Sequence, residues 1–167
     1  ITDQQRADWL GCYGHLVLKT PNIDSIAARG TLFENFHVAS PVCMPNRASL
    51  LTGRYPSLHG LRYNGCALPE NANTFVNVLA DAGYHTAAIG KSHLQPFTAM
   101  APMGKSAEEI AGMPEAWQVE RVKDYEEEPA NYQGEGRYDI KSPYYGYQYV
   151  DMVTSHGDRC GGHYGQW

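Results

Sequence analysis

Residues 41–54 read PVCMPNRASLLTGR, a stretch that predicts a short helix with reactive side chains at its start. Pro45 suits the first helical position because its ring presets φ and it has no amide donor to leave unpaired. Gly53 supplies the left-handed residue that commonly ends a helix. Cys43 is therefore expected to face free backbone N–H groups at the positive end of the helix dipole, with Arg47 one turn further on. Together they place a nucleophile near a side chain that can bind an oxyanion.

Helical and extended patterns alternate through the first part of the chain. Thr20 and Thr74 are suitable N-caps, while Gly30 and Gly83 are suitable terminators, so each pair brackets a predicted helix. Strands that alternate with helices are typical of a mostly parallel sheet flanked by helices, so we predict an α/β fold. The predicted helices cover residues 21–29, 45–52 and 75–82, and the predicted strands cover residues 1–3, 31–38 and 84–89.

The pattern changes beyond the first hundred residues. A weak amphipathic helix is predicted near 106–116, and the acidic run DYEEEP at 124–129 is expected to form a solvated face. Tyrosine is dense after this run, and we expect its rings to cover the core or a partner subunit. We therefore divide the chain into an α/β part, residues 1–103, and an irregular Tyr-rich insertion or continuation of the same domain, residues 104–167.

Composition limits the classes of function. The chain has 167 residues, of which 43% are hydrophobic and 19% charged, as in globular proteins. Its net charge of −5 argues against nucleic acid as a partner, because a nucleic-acid groove needs a basic surface. No apolar run reaches membrane-spanning length, so no membrane partner is expected. The four cysteines are too widely spaced to suggest a zinc site or a redox pair.

Three groups of polar residues are predicted to follow strands. Asp3 and Gln4 lie at the end of the first, Cys43 comes after the second, and Lys91 and His93 follow the third. Ligands of open parallel sheets bind at the carboxyl ends of the strands, so these groups are expected to converge on one site.

The same stretches resemble a known family. The order of ITDQQR at 1–6, LGCYG at 10–14, TPNID at 20–24, Cys-x-Pro-x-Arg with ASLLTGR at 43–54, and GKSHL at 90–94 is similar to that of the type I sulfatases. These form the formylglycine branch of the alkaline-phosphatase superfamily. The resemblance is clear to about residue 95 and fades beyond it. Family members are several times longer, so this chain is expected to be the N-terminal portion of the α/β domain. Because it opens in mid-strand, the lack of a visible signal peptide carries little weight, and a bacterial cytoplasmic location is the working expectation.

The resemblance implies a cofactor and a nucleophile. A separate maturation enzyme would oxidise Cys43 to formylglycine, whose hydrate would attack a sulfate ester beside a divalent cation. Asp3 and the hydrate at position 43 would be metal ligands. Gln4 stands where the commoner pattern has a second aspartate, and its amide oxygen would face the metal or the substrate. Oxygen ligands of this kind suit Ca²⁺, with Mg²⁺ or Mn²⁺ as alternatives.

The resemblance also assigns roles to other side chains. Arg47 would orient the formylglycine, Lys91 would bind the sulfate oxygens, and His93 would hydrogen-bond the hydrate or the ester. Asn64 is either an active-site amide or a turn residue in the sequence Tyr-Asn-Gly at 63–65. Two further histidines are not assigned to catalysis: His59 is read as structural, and His156 is left open for substrate contact but not for metal binding.

Several alternatives stay open. A phosphonate monoester or phosphodiester hydrolase of the same superfamily can share the Cys-x-Pro-x-Arg motif, but that branch tends to carry Tyr and Thr at the positions of Lys91 and His93. A non-catalytic relative would keep Cys43 as a thiol and bind anions. A cysteine hydrolase would need His93 within hydrogen-bonding reach of Cys43. A sulfatase is the favoured function, acting on a small-molecule or carbohydrate sulfate ester. The oligomeric state is open, and these residues alone are expected to be inactive because the family's later ligands are not identifiable.

Overall fold

The computed structural model describes residues 1–97, 125–156 and 159–166. The chain divides into two compact units, Ile1–Val38 and Ala39–Trp167. The helix predicted near 106–116 and the residue Asp124 of the acidic run lie outside the described residues. The division of the chain into 1–103 and 104–167 stays a prediction.

The first unit is organised around helix α1, Pro21–Arg29. The helix begins and ends where the sequence predicts, with Thr20 before it and Gly30 after it. The Thr20 hydroxyl accepts the Gly11 N–H at 2.8 Å and donates to Asp24 at 2.8 Å, so it fastens a preceding turn to the helix. That preceding segment consists of two 3₁₀ turns, Ala7–Trp9 and Gly11–Tyr13.

The two strands predicted in this unit are not formed. Residues 1–3 and 31–38 are irregular in the structure. A strand is defined by its ladder of hydrogen bonds with a neighbour, and neither segment pairs with another strand within the part of the chain that the structure describes. The alternating apolar pattern of 31–38 was therefore not sufficient evidence for a strand.

Three α-helices lie among the described residues of the second unit. Helix α2 spans Cys43–Thr52 and ends at Gly53, which adopts a left-handed φ of 66°. The helix starts two residues earlier than predicted, so Pro45 is its third residue and Cys43 its first. Helix α3 spans Pro56–His59. Helix α4 spans Phe75–Asp81 and begins with the reciprocal side-chain cap between Thr74 and Asn77.

A three-stranded mixed sheet completes the second unit and confirms the predicted α/β class. Strand β1, Ala87–Gly90, pairs in parallel with β2, Tyr149–Thr154, in a register that sets Gly90 opposite Met152. Strand β3, Gly161–Gly162, pairs antiparallel with β2. The Tyr-rich region, predicted to be irregular, thus supplies the central strand.

The core of this unit lies between α2 and the residues that follow β1. Leu94 and Met152 are buried here together with apolar side chains of α2 and of residues 61–68. Tyr144 and Tyr145 are also buried in this core, although the sequence analysis expected a covering role for the tyrosines. The buried core residues include Met44, Ala48, Leu51, Leu61, Leu68, Leu94 and Met152.

Glu127 contradicts the prediction that the acidic run is solvated. Its side chain has 0% exposure because it turns inward and accepts hydrogen bonds from the loop that follows β1. None of the helices that the structure describes combines the length and the hydropathy needed to span a bilayer.

Candidate active site

Cys43 is held at the start of α2 by Asn64. The Cys43 Sγ atom lies 3.4 Å from Asn64 Nδ2 and 3.5 Å from Asn64 Oδ1. The same Oδ1 atom accepts the Met44 N–H at 3.2 Å. Asn64 therefore contacts both the thiol and the first turn of the helix, which a residue serving only the 63–65 turn would not do.

The start of α2 offers fewer open amides than the sequence suggested. The Met44 N–H is committed to Asn64, and Pro45 has no N–H to offer. The Asn46 N–H is donated to the Val42 carbonyl at 3.1 Å. Any anion stabilisation near Cys43 must therefore come from the helix dipole and from neighbouring side chains more than from a set of free amides.

Arg47 connects α2 to the residues that follow β1. Its Nη1 atom donates a hydrogen bond to the backbone carbonyl of Lys91. Arg47 is half-buried in this position. Because Arg47 lies one turn after Cys43, this bond brings the helix of the predicted nucleophile to the segment that carries Lys91 and His93.

Lys91 meets a histidine that the sequence analysis left open. The Lys91 Nζ atom lies 3.0 Å from His156 Nδ1. An ammonium group can only donate, so Nδ1 of His156 accepts and must be unprotonated in this contact. Lys91 directly follows β1 and His156 follows β2, so the carboxyl ends of two parallel strands bring these side chains together. His156 was not among the groups predicted to converge.

His93 is buried beside the same pair. Its side chain is only 4% exposed, and its ring stacks on Phe97 with centroids 4.0 Å apart and planes 6° from parallel. The edge of His156 packs against it at a centroid distance of 5.8 Å. The backbone of His93 has a φ of 53°, an uncommon conformation for a residue with a side chain. The position of this ring therefore depends on its surroundings.

Glu127 is the residue that sequence reasoning missed. Its Oε2 atom accepts the His93 N–H at 2.8 Å, and its Oε1 atom accepts the Leu94 N–H at 2.7 Å and the Gln95 N–H at 3.2 Å. Tyr144 donates to Oε1 at 2.6 Å. Burial raises the pKa of Glu127 to about 7, although the four donors favour the ionised form. Nothing in the run of three glutamates marks the middle one as buried.

A buried serine–histidine pair lies elsewhere in this unit. Ser49 Oγ is 3.0 Å from His59 Nε2, while His59 Nδ1 accepts the Leu61 N–H at 3.2 Å. Because Nδ1 is an acceptor, the proton of a neutral ring sits on Nε2 and points at the serine, which is the wrong arrangement for a base. Burial also lowers the pKa of His59. These contacts agree with the structural role that the sequence analysis gave to His59.

Asp3 and Gln4 belong to the Ile1–Val38 unit, whereas the residues described above belong to the other unit. Both side chains are exposed, and Gln4 has a left-handed φ of 58°. Their oxygen atoms are of the type that Ca²⁺ binds, but a calcium shell needs about six to eight oxygens. No group of three His, Cys, Asp or Glu side chains suited to a metal is found among the residues with described structure. These two residues could therefore supply only part of a coordination shell.

Comparison with known proteins identifies the family. The model of the Sulfatase family matches residues 1–158. The chain belongs to the sulfatase family. The family match extends well past residue 95, where the resemblance seen in the sequence fades, and so includes both Glu127 and His156.

Relatives of this sulfatase-family chain are much longer than the chain. The uncharacterised sulfatase YidJ of Escherichia coli is 46% identical over 94 residues, which cover 56% of this chain and 19% of YidJ. The arylsulfatase of Clostridium perfringens is 41% identical over 97 residues, covering 58% of this chain and 20% of that enzyme. The solved structure of yidJ from Bacteroides fragilis matches with a TM-score of 0.54 and 37% identity, covering 58% of this chain and 23% of that one. The chain thus spans about one fifth of the length of the curated relatives it matches.

Proposed function

We propose that the full-length gene product hydrolyses sulfate esters and that residue 43 is its nucleophile after conversion from cysteine to formylglycine. The observation that carries the proposal is the hydrogen bond from Arg47 to the Lys91 carbonyl. This bond joins the helix that begins with Cys43 to the segment that carries Lys91 and His93. Membership of the sulfatase family supports the reaction type.

The charges of the site suit a sulfate ester. Arg47 and Lys91 are cations, and charged hydrogen-bond donors of this kind stabilise the oxygens of an anionic group. His156 holds the Lys91 ammonium at 3.0 Å and so restricts where it can point. The role of Arg47 and Lys91 in the reaction is to bind the sulfate oxygens and to stabilise the negative charge that develops on them.

The nucleophile and the leaving group need separate contacts. Asn64 touches the side chain at position 43, which supports a role in orienting the hydrated aldehyde. His93 is the candidate for a hydrogen bond to the hydrate or to the ester oxygen, and its burial excludes water from that contact. The chemistry at position 43 requires a separate formylglycine-generating maturation enzyme as a partner.

Asp3 and Gln4 are the candidate metal ligands of this chain. Their hard oxygen donors favour Ca²⁺, with Mg²⁺ or Mn²⁺ as alternatives. Such a cation supplies positive charge and Lewis acidity to the reaction when it is bound. The remaining ligands have to come from other residues, because two side chains do not complete the shell.

The experiment is an activity assay of the full-length gene product, coexpressed with a formylglycine-generating enzyme. Sulfate release is measured from an aryl sulfate and from sulfated monosaccharides, beside hydrolysis of a methylphosphonate ester. Mass spectrometry of the peptide that contains residue 43 confirms maturation, because formylglycine is lighter than cysteine. We expect sulfate release that depends on this modification. A matured protein that prefers the phosphonate ester, or that hydrolyses neither class, would refute the proposal.

A further inference from the structure

We infer that Glu127 is a positioning residue. It fixes the backbone of residues 91–97, the His93 loop, and thereby the ring of His93. The inference rests on the proposed function, because it assigns a supporting role within that same site. It extends the site to a buried carboxylate that approaches it from a distant part of the sequence.

The geometry of the carboxylate is the first argument. Three consecutive amides, those of residues 93–95, all donate to Glu127 at distances of 2.7 to 3.2 Å. The side chain is completely buried, so no water competes for these bonds. Backbone amides that converge in this way cannot be satisfied by a strand or helix partner, and the carboxylate takes the place of one.

The two oxygens of Glu127 serve different donors, which is the second argument. Oε2 accepts only the His93 N–H among the contacts of the described residues. Oε1 accepts the N–H groups of Leu94 and Gln95 and the hydroxyl of Tyr144. The hydrogen bond from the His93 N–H to Oε2 can therefore be removed separately from the other hydrogen bonds of the same carboxylate.

The conformation of His93 is the third argument. Its φ of 53° lies in the left-handed region, which costs free energy for a residue with a side chain. Such a conformation persists when its surroundings fix it. The bond to Oε2 fixes the amide at this residue, and the stacked Phe97 ring fixes the side chain. Loss of the bond is expected to let the ring move away from its working position.

Glu127→Gln is the test variant. Glutamine keeps one acceptor oxygen, and the three donors on the Oε1 side favour placing it there. The new NH₂ group then faces the His93 N–H, so that bond is lost selectively. Tyr144→Phe is the matched control because it removes one donor from the same buried carboxylate and leaves the His93 bond in place. Glu126→Gln is the second control, since the Glu126 carboxylate contacts Tyr138 and the Lys141 amide. Its backbone N–H donates to the Gln95 side chain, a bond that this substitution keeps.

Two readouts are needed, both on the matured full-length protein. The first is kcat and KM for an aryl sulfate, and the second is hydrogen exchange of the peptide that covers residues 91–97. For Glu127→Gln we expect kcat to fall about 10- to 100-fold with KM changed by less than about threefold, together with faster exchange at residues 91–97. Both controls should keep kcat within about threefold of the wild type. This holds even where their melting temperatures fall as much as that of Glu127→Gln.

The readouts separate the outcomes. Equal losses of kcat in Glu127→Gln and Tyr144→Phe would reduce Glu127 to a general stabiliser of the fold and overturn the inference. Unchanged exchange at residues 91–97 in Glu127→Gln would also overturn it, and this measurement stays informative if the wild type shows no sulfatase activity. Should Glu127→Gln not fold, Glu127→Asp takes its place. Aspartate is shorter by one methylene and so draws both oxygens away from the amides. The same two readouts apply to it.

Discussion

Lys91 Nζ and His156 Nδ1 lie 3.0 Å apart, although 65 positions separate the two residues in the sequence. The contact follows from the parallel pairing of β1, Ala87–Gly90, with β2, Tyr149–Thr154. Parallel strands end at the same edge of a sheet, so the residues directly after them are brought together. Lys91, which belongs to the motif at 90–94, thus contacts His156, which lies far outside that motif.

His156→Ala is expected to lower kcat/KM about tenfold or more. A hydrogen bond to a charged group is worth about 1.5–3 kcal/mol, and its loss removes one restraint on the position of the Lys91 ammonium. The measurement is steady-state kinetics with an aryl sulfate. His85→Ala is the control, because His85 is exposed and precedes β1 by only two residues. Wild-type kinetics in His156→Ala would show that the contact has no part in turnover.

Cys43→Ala is expected to abolish sulfate release, because alanine cannot be converted to formylglycine. Cys43→Ser should also be inactive unless the host has a maturation enzyme that accepts serine. Cys160→Ser is the control, since Cys160 is an exposed thiol after β2. Residual turnover in Cys43→Ala above the background of a mock preparation would contradict the proposed nucleophile.

Arg47→Ala is expected to reduce kcat by about 100- to 1000-fold, or about 2.7–4 kcal/mol, as for the removal of an oxyanion donor. Arg47→Lys keeps the positive charge. It does not keep the bond to the Lys91 carbonyl in its present geometry, since lysine lacks the planar fork. Kinetics of both variants beside the wild type provide the measurement. A kcat in Arg47→Ala equal to that of the wild type would refute the role of Arg47.

The stability of the protein should depend on pH through Glu127. Burial raises its pKa to about 7 in the folded state, from an ordinary value of 4.5. Below pH 4.5 the carboxyl is protonated in both folded and unfolded states, so its contribution is fully present there. As the pH rises towards 7 the unfolded state ionises more readily, and this part of the free energy of unfolding is lost.

Thermal melting between pH 4 and 8 checks this dependence. The difference in melting temperature between wild type and Glu127→Gln should change steadily across pH 4.5 to 7, in the direction that favours the wild type at the acidic end. Glu126→Gln is scanned beside it as the control for the same substitution at a neighbouring position. A constant difference across this range would mean that the folded-state pKa of Glu127 is close to its ordinary value.

Gly146→Ala is expected to destabilise the second unit by roughly 1–3 kcal/mol. Gly146 has a φ of 92°, and an added Cβ would lie 2.7 Å from the Asn77 backbone nitrogen and 3.0 Å from the Val76 backbone carbon. Backbone atoms of a capped helix cannot move aside easily. Gly134→Ala is the matched control because a Cβ there meets no atom within 4 Å. Denaturant unfolding of the two variants gives the comparison, and equal stabilities would contradict the clash.

The local sequence predicted elements whose signals lie within a few residues. Thr20, Pro21 and Gly30 bracket α1 as predicted, and Thr74 caps α4. Strand signals were less reliable, since 31–38 alternates like a strand but is irregular. A helix satisfies its hydrogen bonds within itself, whereas a strand needs a partner elsewhere in the chain, and the alternation in 31–38 holds no information about that partner.

By itself, the sequence determined the α/β class and the sulfatase family. It also predicted a helix over 45–52, which in the structure begins at Cys43, and candidate site residues from Cys43 to His93. Only the tertiary structure decided that His156 meets Lys91 and that Glu127, in the middle of an acidic run, turns inward to hold the amide of His93. The physical reason is that both contacts join residues more than thirty positions apart. Strand pairing and burial decide such contacts, and neither a local motif nor a run of charge specifies them.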